Sequence, residues 1–226
     1  MPAHTLQKVA LINPPDPNLR FDENDAALLP PLGLSYIAAY LEQHGFLCDI
    51  YDFATLDVPA AFEVIAEHLE EYFLIGFTSY TKTFLSAIGL ADESRKISGI
   101  PVLFGGPHVS PIPEDVLRAY STIDFVICKE GEVPALELCR QLTAEVPQFD
   151  QVPNLVYRQG DQSEAILQSP VLPNPKDLGP MPFPKREFAY RHNETIVELR
   201  RESAPPVAFF VSSRGCPKRC SFCSII

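Results

Sequence analysis

Five short apolar runs alternate with amphipathic helical patterns over the first 145 residues, and that alternation leaves few architectures open. The runs are Val9-Ala10-Leu11-Ile12, Leu47-Cys48-Asp49-Ile50-Tyr51, Phe73-Leu74-Ile75-Gly76-Phe77, Val102-Leu103-Phe104 and Phe125-Val126-Ile127. Most are continuous rather than alternating, as strands are when a parallel sheet is covered on both faces. Between them, Leu34, Ile37, Ala38 and Leu41 recur at i, i+3, i+4, i+7. Phe62, Ile65, Ala66 and Leu69 repeat the spacing, as do Ala135, Leu138, Cys139 and Leu142. Phe84, Leu85 and Ile88 mark a further helix, and Val116, Leu117 and Tyr120 a short one. Strands alternating with helices predict an α/β fold: a five-stranded, parallel, doubly wound sheet over residues 8–145, helices on both faces, with Leu11 and Phe104 in its core.

From about Gln151 the character changes. Leu155-Val156-Tyr157-Arg158, the polar turn Gln159-Gly160-Asp161-Gln162 and Ala165-Ile166-Leu167 read as a small β-hairpin. Pro170, Pro173, Pro175, Pro180, Pro182 and Pro184 then resist both helix and sheet, and an extended strap between two domains is expected. Leu172, Leu178, Met181 and Phe183 offer that strap apolar anchors; a disordered segment is the alternative. Residues 186–203 are ambiguous. The apolar run Val207-Ala208-Phe209-Phe210-Val211 reads as a buried strand that opens a new domain. The organisation expected is therefore a first domain over 1–150, a hairpin and proline-rich linker over 151–203, and the start of a second domain over 204–226.

The charge balance narrows the partners. A net charge of −11 argues against nonspecific binding to nucleic acid or an anionic membrane. No run approaches the roughly 18 apolar residues of a membrane span, and the N-terminus lacks a signal-peptide core. A cytoplasmic, reducing location is expected. Cys48, Cys128 and Cys139 are expected to be core thiols, although Cys128 ends an apolar run and is placed to face a pocket.

In an open parallel sheet, ligands bind outside the carboxyl ends of the strands. The segments falling there are rich in Pro, Gly and small polar residues: Asn13-Pro14-Pro15, Pro30-Pro31-Leu32-Gly33-Leu34, Thr78-Ser79-Tyr80-Thr81, Gly105-Gly106-Pro107-His108 and Glu130-Gly131-Glu132. Gly105 and Gly106 follow a buried strand and lack a Cβ, so a large flat ligand can approach the backbone there. The hydroxyls of Thr78 and Ser79 can bond a polar ligand edge. Glu130 and Glu132 also suit a helix N-terminus without any ligand. Neither a dinucleotide fingerprint nor a Walker motif is present. The residues alone define a cleft for a sizeable cofactor.

Three more cysteines, Cys216, Cys220 and Cys223, stand in a Cys-x₃-Cys-x₂-Cys array. Three thiolates can hold three corners of an iron–sulfur cube and leave one iron open to a substrate, whereas clusters that only carry electrons usually have four. Lys218 and Arg219 place positive charge beside such an anionic cluster, and Gly215 permits a tight approach to the first ligand. The alternatives are reduced structural thiols or a zinc site, which would want a fourth Cys or His.

Ser213-Arg214-Gly215-Cys216-Pro217 through Cys223-Ser224-Ile225 resembles the cluster loop of the radical S-adenosylmethionine enzymes. The order of the earlier loops resembles the Rossmann-like, flavodoxin-like cobalamin-binding domain fused in front of many of them. The resemblance runs from Val9 to Ile226 and implies three cofactors: a [4Fe–4S] cluster on the three cysteines, S-adenosylmethionine chelated at the open iron, and cobalamin across the carboxyl edge of the sheet. It implies that residues 204–226 begin a radical SAM (β/α) barrel. Such a barrel needs on the order of 200 residues, so a longer enzyme is expected and these residues alone are expected to be inactive. Cobalamin mutases carry an Asp-x-His-x-x-Gly motif after the first strand; here that place reads Asn13-Pro14-Pro15-Asp16-Pro17, without a histidine. His108 is the nearest candidate, and hydrogen bonding or packing is expected of it instead.

The resulting expectation is a cobalamin-dependent radical SAM methyltransferase acting on an unactivated carbon of a small-molecule or natural-product substrate. An external electron donor of the flavodoxin or ferredoxin type would serve it. Oxidative cyclisation of a tetrapyrrole precursor on the same architecture, and a non-catalytic corrinoid-binding module, are the alternatives.

Overall fold

A computed structural model describes residues 7–18, 30–159, 165–173, 178–184 and 211–216, together with 218, 220, 221 and 223. Strand β1 (Lys8–Asn13) pairs in parallel with β2 (Leu47–Asp52) on one side and β3 (Leu74–Thr78) on the other. Strands β4 (Val102–Gly105) and β5 (Phe125–Ile127) follow in parallel beyond β3. The crossovers are α1 (Leu32–Gln43), α2 (Val58–Ala66), α3 (Phe84–Ile97) and α4 (Pro113–Ala119); α5 (Glu132–Leu142) follows β5. The five parallel strands and five helices expected from the alternation are all present. Chain direction reverses across the sheet at β1, where β2 lies to one side and β3 to the other; this switch point is where ligand crevices open.

Successive side chains point to opposite faces of a strand, so the sheet divides two cores. Ile12, Phe77, Phe104 and Val126 pack beneath α2, α3 and α4, against residues such as Ile65, Leu90 and Leu117. Leu11, Leu103 and Ile127 face the other way, beneath α1 and α5, against Leu34, Ala38, Ala135 and Leu138. Leu11 and Phe104 are buried as expected. So are Cys48, Cys128 and Cys139. Burial pushes the Cys139 thiol up to about 12 and Cys128 up to about 11, which keeps both protonated and unreactive at neutral pH.

The sheet does not stop at five strands. The hairpin β6 (Leu155–Arg158) and β7 (Ile166–Gln168) adds antiparallel to β5, giving seven strands in the order β2-β1-β3-β4-β5-β6-β7. The five-stranded parallel sheet expected over residues 8–145 is present, and the expected hairpin extends its edge by two antiparallel strands. The cause is edge protection: β5 is three residues long and wholly buried, and without β6 its outer backbone groups would lie open. Val126 pairs with Val156, and the Arg158 guanidinium donates to the Leu117 and Tyr120 carbonyls at the end of α4. Asn154, in the left-handed region at φ 56°, starts the strand. Residues 160–162 of the expected turn, the ambiguous segment 186–203 and Val207–Phe210 of the expected last strand lie outside the described residues. In the proline-rich stretch, Leu178 and Met181 are half-buried, whereas the Leu172 and Phe183 side chains are exposed and Leu172 is tied down by its backbone, whose N–H donates to Asn154 Oδ1 at 2.8 Å.

A buried polar chain ties β1 to β2. Tyr72 Oη donates to Asp49 Oδ2 at 2.9 Å, so Tyr51 Oη, 2.6 Å from Tyr72 Oη, donates to it in turn. Lys8 Nζ lies 2.6 Å from Asp49 and 2.7 Å from Glu71. Burial, more than any neighbouring charge, pushes the Tyr51 phenol up to about 12 and raises Tyr72 as well. Phenols raised on folding contribute stability that is complete below their unfolded value of about 10 and is lost as pH rises toward the folded one. We therefore expect the unfolding free energy, read from urea titrations, to fall above about pH 10 by up to about 1.4 kcal/mol per pH unit for each phenol. Tyr51→Phe should flatten that slope by one proton. A profile equally steep in wild type and variant would contradict this account.

Candidate functional site

The loops after β3, β4 and β5 are stitched together before any ligand is considered. Ser79 N–H and Ser79 Oγ both donate to the Gly105 carbonyl at 2.9 Å. Ser110 Oγ donates to the Gly106 carbonyl at 2.9 Å and accepts from Lys129 N–H at 3.3 Å. Gly106 sits at φ +99°, and a Cβ there would lie 2.7 Å from the Ser79 carbonyl oxygen. Glycine at 106 is thus required by the packing of two loops against each other. Its missing Cβ is taken up by the Ser79 backbone, while Gly106 itself still borders the cavity described next.

Gly105 is different. It continues the face of Leu103, toward α1 and α5, and a Cβ built on it meets only the Ile127 carbonyl at an ordinary 3.8 Å. In front of it opens a cavity of about 360 Å³ between the carboxyl ends of β1, β3, β4 and β5 and the helices α1 and α5. Its depth is apolar, with Leu11, Leu34, Ile37, Leu103, Ile127 and Ala135 as walls and Gly76 as part of the floor. Its rim is polar: Thr78, Lys129, Glu130, Glu132 and Arg214. Lys129 stands at φ 64°, a conformation uncommon for a residue with a side chain, and so marks a sharp exit from β5.

Of the residues singled out in the sequence, Thr78, Gly105, Gly106, Glu130, Gly131 and Glu132 converge on this cavity. Ser79 does not: its hydroxyl is buried and holds the loops, and it is not free to bond a ligand edge. Asn13, Pro14 and Pro15 lie at the switch point beside the cavity. Asn13 Nδ2 donates to Asp52 Oδ1 at 2.7 Å, and both prolines are buried. Asp16, in the same loop, is buried and paired with Lys82. His108 packs against Phe84 with ring centroids 4.4 Å apart and the rings tilted by 42°, and its Nδ1 is 3.2 Å from Thr81 Oγ1; it does not line the cavity. Packing and hydrogen bonding are what its surroundings provide.

Two contributors went unread in the sequence. Tyr36 of α1 lines the cavity, and so does Arg214 from the loop that carries the cysteines. Arg214 Nη1 is 2.6 Å from Glu130 Oε2, and its Nη2 is 2.6 Å from Glu132 Oε1. Its guanidinium lies over the Tyr36 ring, 4.9 Å from the centroid. Burial alone would lower the Arg214 pKa, but hydrogen bonds and charge from Glu132 and Glu130 outweigh it and raise the group above its ordinary value. A Glu-x-Glu pair at a helix start facing a lone Arg far along the chain gives no local signal.

Cys216 and Cys220 are free and exposed, and Cys223 is free and half-buried. Gly215, at φ +79°, turns the chain immediately before the first of them. Lys218 N–H points at Cys216 Sγ across 3.5 Å, and Cys223 N–H donates to the Cys220 carbonyl at 3.1 Å, closing a turn. Among the described residues, no group of three or more His, Cys, Asp or Glu is gathered as a metal site. The three thiols share one loop, and their donor chemistry suits an iron–sulfur cluster. Arg219 lies outside the described residues.

A seven-stranded α/β sheet with a glycine-floored apolar slot beside its switch point defines a domain built to take one large, partly apolar cofactor at its carboxyl edge. Residues 24–139 match the B12 binding domain, and the chain belongs to that family. It is 27% identical over 199 residues to an uncharacterized methyltransferase of Pyrococcus horikoshii, covering 86% of this chain and 40% of the relative. The cobalamin-dependent radical SAM methyltransferase TokK of Streptomyces tokunonensis is 25% identical over 195 residues, covering 85% and 28%. The anaerobic magnesium-protoporphyrin IX monomethyl ester cyclase of Cereibacter sphaeroides is 24% identical over 206 residues, covering 86% and 31%. Among solved structures, the cobalamin-dependent S-adenosylmethionine radical enzyme OxsB with aqua-cobalamin bound shares the fold at a TM-score of 0.65 and 20% identity, covering 86% of this chain and 26% of that one. The chain thus spans between 28% and 40% of the length of these three curated relatives. No helix among the described residues is long and apolar enough to cross a membrane.

Proposed function

We propose that this chain supplies the cobalamin-holding domain and the cluster loop of a cobalamin-dependent radical SAM methyltransferase that acts on an unactivated carbon of a small-molecule substrate. The observation that carries the reading is the apolar slot floored by Gly76 and Gly105 and opening at the carboxyl edge, toward the loop that bears Cys216, Cys220 and Cys223. Its walls suit the aromatic base of the nucleotide tail, and its rim of Thr78, Lys129 and backbone suits the tail's sugar and phosphate. The loop at Asn13 brings no imidazole, and His108 is committed to Phe84 and Thr81. Among the described residues no imidazole is offered at this cavity, and a cobalamin held there without one would be easier to reduce to a methyl-accepting form than to use for homolysis as mutases do. When bound, cobalamin would supply the transferable methyl group, and S-adenosylmethionine at the three-cysteine cluster would supply the radical that activates the carbon. The residues themselves bind, orient and exclude water.

Tetrapyrrole cyclisation is the second reading, favoured by the likeness to the Cereibacter sphaeroides cyclase. Anaerobic reconstitution of the full-length protein with iron, sulfide and cobalamin, followed by S-adenosylmethionine, tests both. Release of 5′-deoxyadenosine with transfer of a labelled methyl group supports the first reading, and 5′-deoxyadenosine without methyl transfer supports the second. Neither product would leave a corrinoid-binding module without catalysis. In the same preparation, His108→Ala should shift cobalamin affinity by no more than a few-fold and leave the cobalt spectrum unchanged. A His108-dependent change in that spectrum would remove the claim that no protein imidazole reaches the metal.

A further inference from the structure

Among the described residues, one side chain, Arg214, makes the ion pairs that join the cysteine loop to the start of α5. Arg214 is 9% exposed and divides its guanidinium between two carboxylates, at 2.6 Å each, while lying over Tyr36. Glu132 is still more enclosed, at 5%, and would be left as a buried, uncompensated charge if the arginine withdrew. Arginine suits this place because one planar fork can serve two acceptors and still present a flat face to an aromatic ring; a lysine cannot do all three. Each of its partners, Glu130, Glu132 and Tyr36, also lines the cavity, as does Val211 from the same loop. The wall of the cavity on that side is therefore the cysteine loop itself. Cys216 follows Arg214 by two residues, so with the arginine seated the first thiol stays within roughly 7 Å of chain reach from the cavity rim.

We propose that Arg214 is a positioning residue that docks the cysteine loop on the mouth of the cavity, so that filling the cavity and loading the loop with its cluster are energetically coupled. The coupling rests on the function proposed above; the docking does not. Neither of the two loops needs a change of fold for this. Occupancy of the slot fixes Glu130, Glu132 and Tyr36, which orders the loop that must hold the cluster, and by reciprocity the assembled cluster holds the wall that the cavity's ligand leans on.

The test uses the full-length protein. In the absence of cofactors, backbone hydrogen exchange is followed at residues 211–216 in wild type, Arg214→Ala, Arg214→Lys and the double variant Arg214→Ala with Glu132→Gln. The double variant removes the stranded carboxylate together with its cation, so it remains folded even where the single variant does not. Exchange in the loop should rise about tenfold or more in Arg214→Ala and in the double variant, and partway in Arg214→Lys. Unchanged exchange in the folded double variant overturns the docking. Hydroxocobalamin is then titrated into cluster-loaded and cluster-free protein. The cluster-loaded wild type should bind at least about five-fold more tightly, and the ratio should fall to one in the double variant. A wild-type ratio of one, or a ratio kept by the variant, overturns the coupling. Absence of hydroxocobalamin binding by wild type in either state brings down the cobalamin reading and the coupling with it, while the exchange result still decides the docking.

Discussion

Gly105→Leu is expected to abolish cobalamin binding while the chain stays folded. Gly105 ends β4 on the same face as Leu103, with open cavity in front of it and only the Ile127 carbonyl, 3.8 Å away, beside a hypothetical Cβ. A leucine there projects into the slot between α1 and α5 without displacing backbone. Affinity should fall at least about 100-fold, equivalent to about 2.7 kcal/mol. Far-UV circular dichroism and the urea midpoint should stay close to wild type. Titration with hydroxocobalamin, followed by absorbance, measures the first quantity; wild-type affinity in the variant would show that the slot is not where the cofactor's tail enters. Gly106→Leu makes the informative contrast. Its positive φ and the 2.7 Å approach to Ser79 mean that any side chain distorts the β3–β4 loops themselves, so that variant should lose stability as well as binding.

Cys220→Ala should eliminate the iron–sulfur absorbance of the anaerobically reconstituted full-length protein and leave the first domain intact. Cys220 is exposed, and its one described bond is the turn that its carbonyl makes with Cys223 N–H, which alanine preserves. Three thiolates hold three irons of a cube, and removing one leaves only two protein ligands, so the loss should cost the cluster rather than weaken it. Hydroxocobalamin affinity in this variant should match that of cluster-free wild type. A cluster of undiminished iron content in Cys220→Ala would remove Cys220 from the ligand set. Tight zinc binding by the wild type, with no iron spectrum, would remove the cluster assignment altogether.

Local pattern was enough to place most of the fold. Runs such as Val9–Ile12 and Val102–Phe104 are continuous because both faces of their strands are covered, and 3.6-residue spacing marked α1, α2 and α5 because each presents one buried stripe. The hairpin was equally legible as a pair of strands. Its place on β5 was not, since nothing within 155–168 specifies which edge it will cover; the short buried β5 specifies that, and only once the sheet exists.

The site divides in the same way. By itself the sequence determined that polar, glycine-rich loops meet at the carboxyl edge, that Cys216, Cys220 and Cys223 share a loop, and that no histidine follows β1, because topology and residue type alone carry those statements. Tertiary structure decided which residues serve a ligand and which serve the protein. Ser79 and Gly106 stood beside Thr78 and Gly105 in the sequence with the same apparent promise, yet their hydroxyl and missing Cβ are consumed in joining two loops. Arg214 and Tyr36, 178 positions apart by their numbering, became partners through the packing of a distant loop on α1. The physical reason is the same in each case: hydrogen bonds and ion pairs depend on where side chains end up, at ranges of about 3 Å, whereas a sequence pattern reports only which face of its own strand or helix a residue occupies.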